Sequence, residues 1–333
     1  MAETIERVKP ARLQPGDTIK LIAPAGVALM HRIEIVRERL EARGYHVILP
    51  DNLSRKTGYL AGPDQVRADE FTAAFANPEV DAVFPATGGF GTTRMMHLVD
   101  WDVVKANPKI FIGFSDITAL HAALNQRAGL VTFHSPNPQW GLGSDDGMHP
   151  FAEKAFWRAI EGPRDGEAEG SYTIDPAENG PPLAEEPPAV LPKTLVGGTA
   201  EGVIVGGNLA LVAALMGTPD ELHMDGVILY LEDVNEPPYK VDRMLATLKA
   251  AGKLDRLAGV LLGRFTKGEP DEKDNHTIDD VFVDYFTDAP YPVLAHFPAG
   301  HVTDNATLPL NVPARLDADA QTVTLLEEPT AAR

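Results

Sequence analysis

The chain has 333 residues, 44% hydrophobic and 23% charged, with a formal net charge of −19 and no cysteine. That length has room for two domains with a sizeable core, while the missing thiols exclude Cys-ligated metals and the acidic balance argues against a nucleic-acid partner, whose phosphates need clustered Lys and Arg. No apolar run approaches the ~18 residues of a membrane span and the polar N-terminus has no secretory core, so no membrane association is expected and the cytoplasm is the expected compartment.

From residue 18 onward, strand-like and helix-like segments alternate. "TIKLIAPAG" (18–26) reads as a buried strand ending in a turn, and "HRIEIVRERLEARG" (31–44) as an amphipathic helix with a glycine stop. "YHVILP" (45–50) predicts a second strand, and "DQVRADEFTAAFANP" (64–78) a second helix. "VDAVFPATGG" (80–89), "KIFIGF" (109–114) and "LVTFH" (130–134) predict three more strands, separated by helices over 92–100 and 116–129. This alternation predicts an α/β fold with a parallel sheet covered by helices, whose ligands sit outside the carboxyl ends of the strands. "ATGGFG" and "GFSD" both fall at such ends.

Between 161 and 193 the composition changes. "EGPRDGEAEGSYTIDPAENGPPLAEEPPAVLP" holds seven prolines and eight acids against one Arg, which reads as an acidic interdomain connection with one short strand. The expected domains are therefore 1–160 and 194–333. In the second, "GTAEGVIVGGN", "GVILYLED" (226–233) and "LAGVLLGRF" predict strands, "LALVAALMG" and "YKVDRMLATLKAAG" helices, and "ARLDADAQTVTLLE" a hairpin strand.

Four places carry chemistry. Ser115 stands at a strand-to-helix corner, where a hydroxyl is exposed beside backbone N–H groups and a helix start; the same residue type is also a favoured N-cap. Gly88-Gly89-Phe90-Gly91 follows a strand and lets backbone approach a ligand closely, or simply makes a tight turn. Glu232 and Asp233 end an apolar strand, so at least one should project into a cleft. His301 lies in a glycine-bounded loop, with His296 shortly before it and no third metal ligand at a recognisable spacing. Together they supply the parts of a serine hydrolase, divided between two domains: nucleophile, base and an acid to hold the base's tautomer.

In order along the chain, "GGFGTTR", "GFSDITALH", "VGGNLALVAALMGTP", "LEDVNEPPYKVDRML", "GRF" and "GHVTDNATLPLNVPARLD" resemble the markers of the LD-carboxypeptidases (muramoyltetrapeptide carboxypeptidases) and their relatives, the microcin-immunity serine peptidases. The resemblance implies an α/β N-terminal domain and a mixed C-terminal domain with a small barrel-like sheet, assembled as a homodimer. It assigns a Ser115-His301-Glu232 triad, with oxyanion donors at the backbone N–H groups of Gly89 and Asp116 and no metal or cofactor. It also implies release of terminal D-Ala from murein tetrapeptides in cytoplasmic peptidoglycan recycling. The chain departs from the family at Thr87, where "RGGYG" is common, and at His134-Ser135-Pro136, where "HGP" is common. Gly88 is expected in the substrate site, and Arg94 and Arg243 become, by charge, the candidates to hold a substrate carboxylate. A peptidyl-nucleotide or other modified amide is the alternative substrate, and a non-catalytic ligand-binding protein the third reading.

Overall fold

The computed structural model describes residues 6–50, 53–164, 166–179, 190–270 and 275–333. In chain order the elements begin with β1 (Thr18–Ile22), α1 (Met30–Ala42), β2 (His46–Ile48), α2 (Asp64–Ala76) and β3 (Ala82–Pro85). Then come α3 (Thr92–Met95), α4 (Trp101–Ala106), β4 (Ile110–Gly113), α5 (Thr118–Ala128), β5 (Thr132–His134) and α6 (Pro150–Glu161). The connection that follows contains β6 (Tyr172–Ile174), and its residues 180–189 lie outside the described residues. The second half supplies β7 (Lys193–Val196), β8 (Thr199–Asn208), α7 (Leu209–Ala214), β9 (Ile228–Val234), α8 (Pro238–Ala250) and β10 (Gly259–Thr266). It ends with α9 (Ile278–Phe286), β11 (Val293–Ala295), β12 (Leu308–Leu310), β13 (Pro313–Asp317) and β14 (Thr322–Leu325).

The first sheet has the order β12-β5-β4-β3-β1-β2, parallel throughout except for β12. Every residue of β3 and β4 is buried, as expected of inner strands with covered faces. The second sheet runs β6-β14-β13-β8-β9-β10-β11-β7; β8 to β11 are parallel and the strands flanking them antiparallel. The expected mixed α/β architecture is what the chain adopts.

The helix expected over 92–100 is shorter. It stops after α3 and a single 3-10 turn, because the Asp100 carboxylate accepts from Val103 N at 3.1 Å and caps a separate helix, α4.

The two sheets meet over α5. Its residues Thr118–Leu124 are all buried, as befits a helix with neighbours on every side, and Gly129 closes it in the left-handed conformation. Gly207 brings β8 into contact here. A Cβ on Gly207 would stand 2.6 Å from Thr118 Oγ1, and the Asn208 N–H donates to that hydroxyl at 3.0 Å. The apolar core follows suit: Phe111 and Leu120 of the first half share one cluster with Leu231 and Val260 of the second.

Candidate active site

Ser115 follows β4 with φ +65°, a backbone conformation unusual for a residue with a side chain. Strain of this kind costs about 1–3 kcal/mol and persists where surrounding structure enforces it. Here the enforcement is visible. The buried Asp116 carboxylate accepts from Thr92 N at 2.9 Å, and Thr92 Oγ1 donates to the Asp116 carbonyl at 2.7 Å. These bonds tie the corner to the end of the glycine turn, and burial raises the Asp116 pKa while the Thr92 donors oppose it. The carboxylate is thus a tie between loops, and the Asp116 N–H stands in the opening turn after Ser115.

Gly88 packs directly on Ser115. A Cβ at this position would lie 2.9 Å from Ser115 Cβ and 3.2 Å from Oγ. The turn is held from behind by Arg67, fully buried, which donates to Pro24 O and to Gly91 O and pairs with Asp64. Gly26 N also donates to Gly88 O at 2.9 Å. Sequence reasoning passed over Arg67, which sits inside the helix expected over 64–78.

From the second half, Glu232 is completely buried on β9, and its Oε2 accepts from His301 Nδ1 at 2.7 Å. The bond leaves His301 Nε2 as the free ring nitrogen. Burial pushes the Glu232 pKa up, but the adjacent His301 and His134 outweigh it, and the carboxyl is lowered to about 2. Gly300 permits this approach, since a Cβ there would sit 2.7 Å from Oε2. Its N–H donates to Asn305 Oδ1 at 2.8 Å, and Arg264 N donates to Ala299 O, hanging the loop on β10. Asp233, the neighbouring acid, turns to the other face of the strand. It accepts from Asn208 Nδ2, Val234 N and Ala210 N, and burial beside Glu232 raises its pKa to about 6. His296 pairs instead with Asp279.

Ser115, Gly88, Gly89 and His301 line one cleft of about 510 Å³. Its walls include Thr87, Pro136, Asn137 and Trp140, so the segments where the chain departs from the resembled family form part of the cleft. Trp140 is 52% exposed and carries the Arg32 guanidinium 4.5 Å over its ring.

The two arginines do not join this group. Arg94 is paired with Asp64 at 2.8 Å, and Arg243 lies over Tyr239 on α8; neither lines the cleft. The lysine that does is Lys267, just past the end of β10. Its signal was present, since "LAGVLLGRFTK" ends an apolar strand as "ILYLED" does, and the strand-end rule that selected Glu232 applies equally.

Comparison with known proteins follows this layout. The profile of the LD-carboxypeptidase N-terminal domain matches residues 19–135, and that of the LD-carboxypeptidase C-terminal domain residues 201–316. A Bacillus subtilis protein named "Probable murein peptide carboxypeptidase" is 37% identical over 95% of this chain and 94% of its own. The murein tetrapeptide carboxypeptidase of Pseudomonas aeruginosa is 30% identical over 92% of this chain and 95% of its own. The Escherichia coli microcin C7 self-immunity protein MccF is 27% identical over 96% of this chain and 95% of its own. Among solved structures, the muramoyltetrapeptide carboxypeptidase of Oxalobacter formigenes superposes with a TM-score of 0.77 at 28% identity, covering 92% of this chain and 97% of that one. MccF in complex with glutamyl sulfamoyl guanosine superposes at 0.84 with 24% identity, covering 97% and 99%, a likeness of fold. The chain is a peptidase of the LD-carboxypeptidase family.

Proposed function

We propose that the chain is a serine carboxypeptidase that hydrolyses an L,D-peptide bond, releasing terminal D-Ala from murein tetrapeptides during cytoplasmic peptidoglycan recycling. The observation that carries this reading is the convergence of Ser115, at its left-handed corner, with the Glu232-bound His301 on one cleft. Ser115 Oγ attacks the carbonyl carbon of the L-centre and passes its proton to His301 Nε2. The oxyanion is held by the N–H groups of Gly89 and Asp116, and Glu232 stabilises the imidazolium. Collapse expels D-Ala as His301 returns the proton to its nitrogen. Water, deprotonated by the same imidazole, then hydrolyses the seryl ester.

A carboxypeptidase must also hold the free carboxylate of the residue it removes. Lys267 does so in this reading, as a point charge on the cleft wall. The test is incubation with L-Ala-γ-D-Glu-meso-diaminopimelate-D-Ala, with D-Ala followed by mass spectrometry. Release by the wild type and none by Ser115→Ala is the expected result; equal release by both would end the proposal. Lys267→Met should raise KM about tenfold with little change in kcat, the pattern of a lost ground-state contact.

A second substrate class has one observation in its favour. Trp140 presents an exposed aromatic surface on the cleft wall, on which a flat base can stack. Turnover of a peptidyl-nucleotide amide, measured beside the tetrapeptide, separates the two.

A further inference from the structure

Behind the cleft lies a second imidazole that the mechanism above does not use. His134 ends β5 and is fixed on both sides by pairing with Gly113 of β4 and Leu308 of β12. It is completely buried, and neither ring nitrogen has a hydrogen-bond partner. Glu232 is equally buried, and its Oε1, the oxygen turned away from His301, is also without a partner. The two unpaired groups face one another, with His134 Nε2 3.8 Å from Glu232 Oε1. That separation exceeds hydrogen-bond range by less than 1 Å. A buried carboxylate oxygen and a buried ring N–H each lose free energy when left unmatched, so both gain from closing the gap.

We infer that His134 is a positioning residue for the triad: its Nε2–H donates to Glu232 Oε1, so the carboxylate is held between two imidazoles. The inference rests on the triad reading above and extends it. The other titratable groups around His134 are Tyr230 of β9, whose ring packs edge-on at 4.8 Å, and His121 of α5, at 6.5 Å between ring centroids. His121 Nε2–H donates to the Gly113 carbonyl, and burial lowers its pKa to about 3, so it stays neutral. His301 lies beyond Glu232. A donor on Oε1 orients the carboxylate so that Oε2 meets His301, and it draws negative charge from the bond that stabilises the imidazolium. Removing the donor concentrates that charge on His301 and raises its basicity.

The test is a histidine NMR titration that needs no substrate, run on the full chain with His301→Asn for assignment. In the wild type, His134 Nε2 should carry the chemical shift of a protonated nitrogen. His134→Leu should raise the His301 pKa by about one unit, on the scale of one hydrogen bond to a charged group. His134→Asn should do the same, because its amide is polar but too short to reach, which covers the case in which the Leu variant fails to fold. His134→Gln, whose amide reaches the Nε2 position, should return the value towards wild type. An unchanged His301 pKa in the Leu and Asn variants, or a bare lone pair at Nε2 in the wild type, overturns the inference. Because Ser115→Ala and D-Ala release decide the substrate reading separately, the two ideas fail independently.

Discussion

Ser115 occupies a backbone conformation that suits glycine better, and the cost is sustained by what surrounds it. Gly88 is the sharpest part of that surround, since any Cβ there enters the space of the serine side chain. Gly88→Ala should leave the fold intact and lower kcat about 10²-fold, the loss typical of a reacting group displaced by about 1 Å; steady-state kinetics with a melting curve will show it. Glu232 makes a second prediction. Its folded-state pKa of about 2 lies below the ordinary 4.5, so its ionised form contributes stability above pH 4.5 that is lost as pH falls towards 2. In Glu232→Gln the fall in urea midpoint across that window should be shallower than in the wild type, and kcat at pH 7 should drop about 10⁴-fold. A steeper acid loss in the variant would contradict this.

At the level of elements, the strand-end logic reached the candidate site because parallel strands such as β4 and β9 run as apolar blocks and end abruptly in Gly, Ser or acid. The alternation also marked β1 to β5 and their helices. What it missed has identifiable causes. α6 begins with Pro150 at its first turn under a His149 cap and carries Phe151, Phe156, Trp157 and Ile160 on its buried face, a legible pattern that lies between the fifth expected strand and the acidic connection, where the alternation was not followed. β12 is three residues long and contains Pro309; it is a strand only because β5 lies beside it, which no local pattern conveys. The buried approach of His134 to Glu232 was equally hidden, since the residues are distant in sequence and meet only when the sheets do. At that junction the Asn208 N–H of β8 donates to Thr118 Oγ1 of α5. Thr118→Val leaves this buried N–H without an acceptor and should cost about 1–3 kcal/mol, read from urea denaturation at unchanged slope.

Across the whole molecule, the halves carrying the serine and the His-Glu pair share their packing. Both core clusters mix residues from each, and Arg158 of α6 is paired, buried, with Glu328 near the C-terminus at 2.7 Å. Calorimetry should therefore record one transition, with a van't Hoff enthalpy close to the calorimetric value; two resolved transitions would refute the shared core. No helix among the described residues is long and apolar enough to cross a membrane.

β12 adds a consequence of its own. The loop bearing His301 follows β11, bonds to the end of β10 and then re-enters the first sheet as the strand beside His134. In the proposed mechanism the base is therefore carried by the stretch of chain that completes the sheet holding the serine. Under that mechanism, closing the sheet and assembling the site are one event in the folding of the chain.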